Sequence, residues 1–191
     1  MSSAWGTSTG ERPSAAQPSD EATEHQLALA RAQGDAYGAA VEQMVGAEAT
    51  GDQVRAADMI VGYAVEEAEG MYAWHDGQLQ WHEPEEENAH IEVVVRDAQD
   101  GRFIPGLDVT VTVSTPDGEE VGSHQQPFLW HPWLHHYGRN WTLPGDGKYD
   151  IAVHIRPAEF MRHDKENGGR FTSPVVVEFG GVQVETGQKR S

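Results

Sequence analysis

Residues 88–97, NAHIEVVVRD, are the stretch on which the reading of this chain turns. Ile91, Val93 and Val95 recur at every second position and the run is rich in β-branched residues, which predicts a strand. Side chains alternate faces along a strand, so His90 and Glu92 project together, away from the three apolar residues. The plain reading of that second face is a solvated polar surface continued by Arg96, and spacing alone favours it. The sharper reading is chemical: an imidazole beside a carboxylate is half of a metal site.

Working outward, the neighbouring segments carry the same signature. MIVGYAV from Met59 reads as a strand. MYAWHDGQLQWHE (71–83) reads as a hairpin with Asp76-Gly77 as its two-residue turn. LDVTVTVSTP, KYDIAVHIRP and SPVVVEFGGV add three strands, bounded by turns such as TPDGEE and LPGDGKY. That succession predicts a mainly β fold, a β-sandwich of the immunoglobulin-like kind. Two polar stretches, 123–141 and 156–171, read as long loops rich in His and Trp or in Met and His. Upstream, Leu27, Ala30, Tyr37, Val41, Met44 and Val45 fall at helical spacing, with Gly34 and Gly38 weakening the pattern. The expected organisation is a disordered tail at 1–20, a helical segment at 21–55, the sandwich at 56–185 and a disordered tail at 186–191.

Composition bounds the partners. The formal charge of −18 repels nucleic acid and anionic membrane and favours cations. The absence of cysteine removes disulfides, Fe–S clusters and thiolate metal sites. No apolar run is long enough for direct membrane insertion. The first residues lack the basic and apolar regions of a signal peptide. Neither a nucleophile elbow nor a glycine-rich phosphate loop is present.

Histidines supply the other candidates. His131, His135 and His136 crowd into six residues. His135 and His136 are adjacent, so an extended backbone directs only one of them at a given ion. His163 lies in the polar MRHDKEN segment, where a plain surface histidine is the simpler reading. His154 shares a strand face with Asp150 and Ala152, and a hydrogen-bonded structural role suits it. Two histidines and a carboxylate also match the triad of non-haem Fe(II) oxygenases. An enzyme of that type is therefore the alternative to a pure binder, and a metal-free interaction module is the third.

Taken together, HYGRNWTLPGDGKYDIAVHIRP (136–157), MRHDKENGGRFTSPVVVEF (161–179) and the upstream His90-x-Glu92 resemble the P19/Tp34-like periplasmic iron-transport protein family over about residues 59–180. The resemblance implies an immunoglobulin-like sandwich and a homodimer with metal sites near the subunit interface. It also implies a role in ferrous iron uptake beside a membrane permease, in an extracytoplasmic compartment, without enzymatic activity. The implied ligands of Fe(II) or Cu(II) are His90, Glu92, His136 and His163. The family's methionine ligand falls at Phe128 or Leu129, with His131 nearby to fill the gap. Such a site is harder than the family pattern, and histidine ligation makes affinity fall as pH drops through about 6.5.

Overall fold

The structure, a computed structural model, describes residues 16–47 and 50–189. Eleven strands and one long helix make up these residues. In chain order they are α1 (Glu24–Ala47), β1 (Thr50–Ala56), β2 (Met59–Glu66), β3 (Met71–His75), β4 (Gln78–His82), β5 (Ala89–Asp97), β6 (Val109–Ser114), β7 (Glu120–Gln125), β8 (Phe128–Leu129), β9 (His136–Trp141), β10 (Gly147–Ile155) and β11 (Val175–Val184). One sheet runs β1-β2-β5-β9-β8 and a second runs β11-β10-β6-β7, while β3 and β4 form a separate hairpin. All named pairs are antiparallel. The two larger sheets enclose one core of Val, Ile, Tyr and Phe, including Val61, Val93, Val111, Tyr137, Ile151 and Val153. This is the mainly β sandwich that the alternation predicts.

The decisive strand, β5, sits in the middle of its sheet and is buried along its whole length. The expectation of a solvated face bearing His90, Glu92 and Arg96 is therefore corrected. All three are buried. The covering element is α1, which packs Val41 and Met44 onto Ala64, Val94 and Leu134. Its inward residues, Ala30, Gly34, Val41 and Met44, recur at helical spacing. Thr23 and Gln26 start the helix reciprocally: the Thr23 amide donates to Gln26 Oε1 at 2.8 Å, and the Gln26 amide to Thr23 Oγ1 at 3.3 Å. The glycines that weaken the sequence pattern are what lets the helix come close. A Cβ on Gly34 would fall 1.6 Å from the Asp100 carbonyl oxygen, and one on Gly38 would fall 2.9 Å from Arg96 Nη1.

Two stretches in the interior of the chain differ from the expectation. Residues 50–56 form β1, paired with β2 from Thr50↔Val65 to Ala56↔Met59, rather than extending the helical segment. TGDQVRA is an exposed edge strand with little apolar alternation, so its pairing partner makes it a strand. The stretch 123–141 contains the end of β7, then β8 and β9, rather than one loop. Its polar side chains hide strands whose backbone groups are satisfied by the ladder. By contrast, 156–171 carries no helix or strand.

The tails divide similarly. Residues 1–15, 190 and 191 lie outside the described residues. Gln17 and Asn167 bond each other's amide groups, and Ser19 Oγ donates to Asp164 at 2.9 Å. Residues 186–189 form a strap rather than a loose end. The Gly187 amide donates to the Asn88 carbonyl at 2.7 Å, and the Lys189 amide to the Ala68 carbonyl at 2.8 Å.

Candidate metal centre

The register of the five-stranded sheet builds the site. Glu92 on β5 stands between Ala64 on β2 and Gly138 on β9, and His90 stands between Glu66 and Asn140. His136 enters from the start of β9, two residues before Gly138. Side chains two apart share a face, so His90, Glu92 and His136 meet on the side covered by α1. His136 Nε2 lies 3.2 Å from Glu92 Oε1, and His90 Nε2 lies 4.0 Å from it. One ligand atom from each of the three lies within 4.8 Å of the others. Donors bound to one ion at about 2.1 Å stand about 3 Å apart, so a small inward rotation completes the set.

Hydrogen bonding fixes which nitrogen of each ring is free. His90 Nδ1 is 2.9 Å from Asn140 Oδ1, and the Asn140 amide nitrogen donates to the Glu69 carbonyl at 2.8 Å. The amide is thereby oriented with its oxygen toward the ring, so Nδ1 of His90 carries the proton. His136 Nδ1 is 3.0 Å from the Leu134 carbonyl, which only accepts, so it too is the protonated nitrogen. Both Nε2 atoms are left with lone pairs. Both are buried and lack a hydrogen-bond partner. A buried unsatisfied polar atom costs about 1–3 kcal/mol, and both nitrogens face one carboxylate, a donor set that could hold a metal ion.

Electrostatics agree. Burial pushes the Glu92 carboxyl up to about 8, with Glu66 and Glu69 adding repulsion. Burial pushes the His136 imidazole down to about 4 against the Leu134 bond. His90 is lowered by the same cause. The cation-free site thus favours neutral groups, and its imidazoles are already in the form that binds metal. The pH window expected from ordinary histidines moves accordingly, because Glu92, and not an imidazole, is the group that titrates near neutrality.

Space is provided by Gly138. A Cβ there would lie 3.1 Å from His90 Nε2 and 3.2 Å from His136 Cδ2. The adjoining cavity, about 60 Å³, is lined by Met44, Glu66, Glu69, Glu92, His131, Trp133, Leu134, His136 and Lys189. That volume holds an ion with a water.

The other sequence candidates divide. His131 lines this cavity with its ring 6.1 Å from that of His136, and its Nδ1 is buried without a partner. His135 is exposed beside Phe128, and its carbonyl accepts from Tyr37 of α1 at 2.6 Å. His163 is not brought to the cluster within one chain. Its ring is 90% exposed, its Nδ1 is 3.1 Å from Glu21 Oε2, and it lines a different cavity with Arg162 and Asp164. Leu129 pairs with His136 across β8–β9 and offers no donor, and Phe128 is exposed. The methionine that lines this cavity is Met44 of the helix. Met44, Glu66, Glu69 and Lys189 were not legible as site residues. Their convergence depends on the β2–β5 register, the docking of α1 and the path of the strap, none of which leaves a local motif.

Comparison with known proteins gives a consistent picture. A family model described as Fe2+ transport protein matches residues 39–184. The UPF0423 proteins of Brucella abortus (strain 2308) and Brucella suis biovar 1 (strain 1330) are each 31% identical over 118 residues, covering 53% of this chain. The match spans 64% of the length of those relatives. Among solved structures, as-isolated FetP of uropathogenic E. coli strain F11 superposes with a TM-score of 0.57 at 21% identity, covering 71% of this chain and 93% of that one. Copper-reconstituted P19 from Campylobacter jejuni superposes with a TM-score of 0.58 at 18% identity, covering 74% of this chain and 98% of that one. These two likenesses speak to the fold. Among the described residues, no helix is long and apolar enough to cross a membrane.

Proposed function

This chain belongs to the Fe2+ transport protein family, and from that premise we propose that it binds a divalent cation reversibly through His90, Glu92 and His136 and delivers it in iron uptake. Fe(II) is the proposed cargo, and Cu(II) is the competing ion that the same imidazole and carboxylate donors accept. One observation carries the reading: two buried imidazole nitrogens, each fixed as a lone pair by its own ring's other hydrogen bond, face one carboxylate. His131 and the Met44 thioether stand at the wall of the same cavity as further donors.

His163 reaches such an ion only from a second copy of the chain. We therefore place the working form as a homodimer in which His163 of the partner subunit completes the coordination. A membrane permease in an extracytoplasmic compartment is the proposed recipient of the ion, a reading supported by the family resemblance.

The test is anaerobic Fe(II) binding, with Co(II) as a spectroscopic substitute, on the intact chain and on His90→Ala, Glu92→Gln and His136→Ala. Loss of at least tenfold in affinity in each variant is expected. Equal affinity in all four proteins would remove the site. The same two-histidine, one-carboxylate set is also that of non-haem Fe(II) oxygenases. Oxygen consumption by the Fe(II)-loaded protein with a 2-oxo acid distinguishes that second reading.

A further inference from the structure

We infer that the outer face of the β3–β4 hairpin is a docking surface for a basic protein partner. Apolar side chains of that partner cover Tyr72, Trp74, Leu79 and Trp81, and its lysines or arginines pair with glutamates at the base of the hairpin. That this partner receives the ion rests on the reading that His90, Glu92 and His136 carry a cation for delivery; the surface itself does not.

The hairpin wears its apolar side outward. The register sets Tyr72 opposite Trp81 and Trp74 opposite Leu79, so these four side chains share one face. All are exposed, Tyr72 at 65% and Trp74 at 74%. The other face turns inward: Met71, Ala73 and His82 line a cavity of about 360 Å³ with Pro127, Arg139 and Asn140. An antiparallel sheet with one wet side ordinarily keeps its apolar face on the core. Here the wet side carries two indoles, a phenol and a leucine, with no charge among them. The hairpin is a separate two-stranded sheet, marginal in water by itself, and a cover on its apolar face supplies what a third strand or a core would. The anchors are held in advance. Tyr72 and Trp81 pack edge to face with ring centroids 4.9 Å apart, and the Trp81 indole donates to Glu83 Oε1 at 2.7 Å.

Charge selects the occupant. Exposed Glu67 precedes the hairpin, and exposed Glu83, Glu85 and Glu86 follow it. The strap ties the two acidic segments together: Gln188 bridges to Ala68, and its side-chain amide donates to the Glu85 carbonyl at 3.1 Å and the Glu87 carbonyl at 2.9 Å. A second copy would bring the same glutamates toward each other in a chain of net charge −18, and an anionic bilayer is repelled for the same reason. A partner with Lys or Arg around an apolar centre is attracted, and its cations also stack on the indoles. The position suits delivery. Glu69 lines the metal cavity, and the next residue, Gly70, lies against the Trp81 ring, which a Cβ there would strike. A partner seated on Trp81 therefore stands beside that cavity.

The probe is a synthetic peptide of about twelve residues alternating Leu and Arg, titrated calorimetrically into the intact chain, with a Leu/Glu peptide as control. A Kd of about 10⁻⁵ M is expected for the first and no binding for the second. The double variant Trp74→Ser, Leu79→Ser keeps the net charge, and the triple variant Glu83→Gln, Glu85→Gln, Glu86→Gln keeps the apolar face. Each should weaken the Leu/Arg peptide at least about tenfold. Glu119→Gln, Glu120→Gln, at the start of β7 in the other sheet, should bind it as the intact chain does. Thermal melts check that each variant is folded. No binding by the intact chain overturns the inference, as does equal affinity in the double variant or an equal loss in the Glu119/Glu120 variant. Adsorption to phosphatidylcholine vesicles that the double variant loses would give the face to a bilayer instead. Dimers in sedimentation that the double variant loses would give it to a second copy. Failure of the underlying reading looks different: the Co(II) spectrum would then survive His136→Ala, whatever the peptide does.

Discussion

Gly138 stands across the β5–β9 ladder from Glu92, and a Cβ on it would come within 3.1 Å of His90 Nε2 and of the Ile91 carbonyl oxygen. The hydrogen at this position keeps open the space in which three donors converge. Gly138→Ala should therefore fold, at a cost of about 1 kcal/mol for the tight contacts, yet lose at least about tenfold in Co(II) affinity. Denaturant melts and metal titration on the same sample separate the two effects. Unaltered affinity would show that the ion sits elsewhere.

Asn140 holds the His90 ring through its Oδ1 and is itself held by Glu69. Asn140→Ala removes the acceptor that keeps the proton on Nδ1. Metal affinity is expected to fall by about 10- to 100-fold, with most of the fold's stability retained. Nitrogen NMR of the imidazoles should show the Nε2–H tautomer of His90 gaining population in the cation-free variant.

The pH dependence follows from Glu92. Its folded value, raised to about 8, exceeds that of the unfolded chain, while the His136 imidazole sits at about 4. Near pH 7 the cation-free site therefore holds a proton on Glu92 and none on His136. Metal loading at that pH should release close to one proton, measurable by calorimetry in buffers of different ionisation enthalpy. The sign for stability is the reverse of an ordinary paired carboxylate. Between about 6.5 and about 8 the imidazoles are neutral in both states and the folded state alone keeps the proton on Glu92, so cation-free stability falls as pH rises; below about 6.5 the protons that the unfolded chain binds at His136 offset that slope. Glu92→Gln should flatten that slope.

His163 provides a test of assembly. Within one chain it is exposed and faces Glu21. Mixing His163→Ala protein with His136→Ala protein should restore wild-type Co(II) affinity to a fraction of the sites, because one mixed dimer contains one complete set. No restoration under conditions where subunits exchange would assign His163 to the surface.

Helix docking is testable at Gly34. Helix propensity alone predicts that Gly34→Ala stabilises by up to about 1 kcal/mol. The Asp100 carbonyl 1.6 Å from the added carbon predicts the opposite. Net destabilisation of at least about 2 kcal/mol is expected, together with weaker metal binding, since Met44 belongs to the same helix. A gain in stability would mean that the helix does not dock as described.

The sequence by itself determined what depends on local pattern. Period-two runs of Val and Ile put β2, β5, β6, β10 and β11 in place, Asp76-Gly77 turned the β3–β4 hairpin, and the His90-x-Glu92 spacing put two donors on one face. Backbone geometry alone dictates these, because successive strand side chains must alternate. It could not place β1 or β9, whose residues are too polar to show the period and become strands through their ladder partners. Nor could it decide which face of β5 is dry. That depended on α1 docking through Gly34 and Gly38, which turned an apparent surface stripe into a buried, desolvated cluster. Tertiary structure also selected His136 over His135, brought His131, Met44, Glu66, Glu69 and Lys189 to one cavity, and held His163 away from it. Donor identity is written in the chain, but the convergence and burial that give those donors their chemistry arise only from long-range packing.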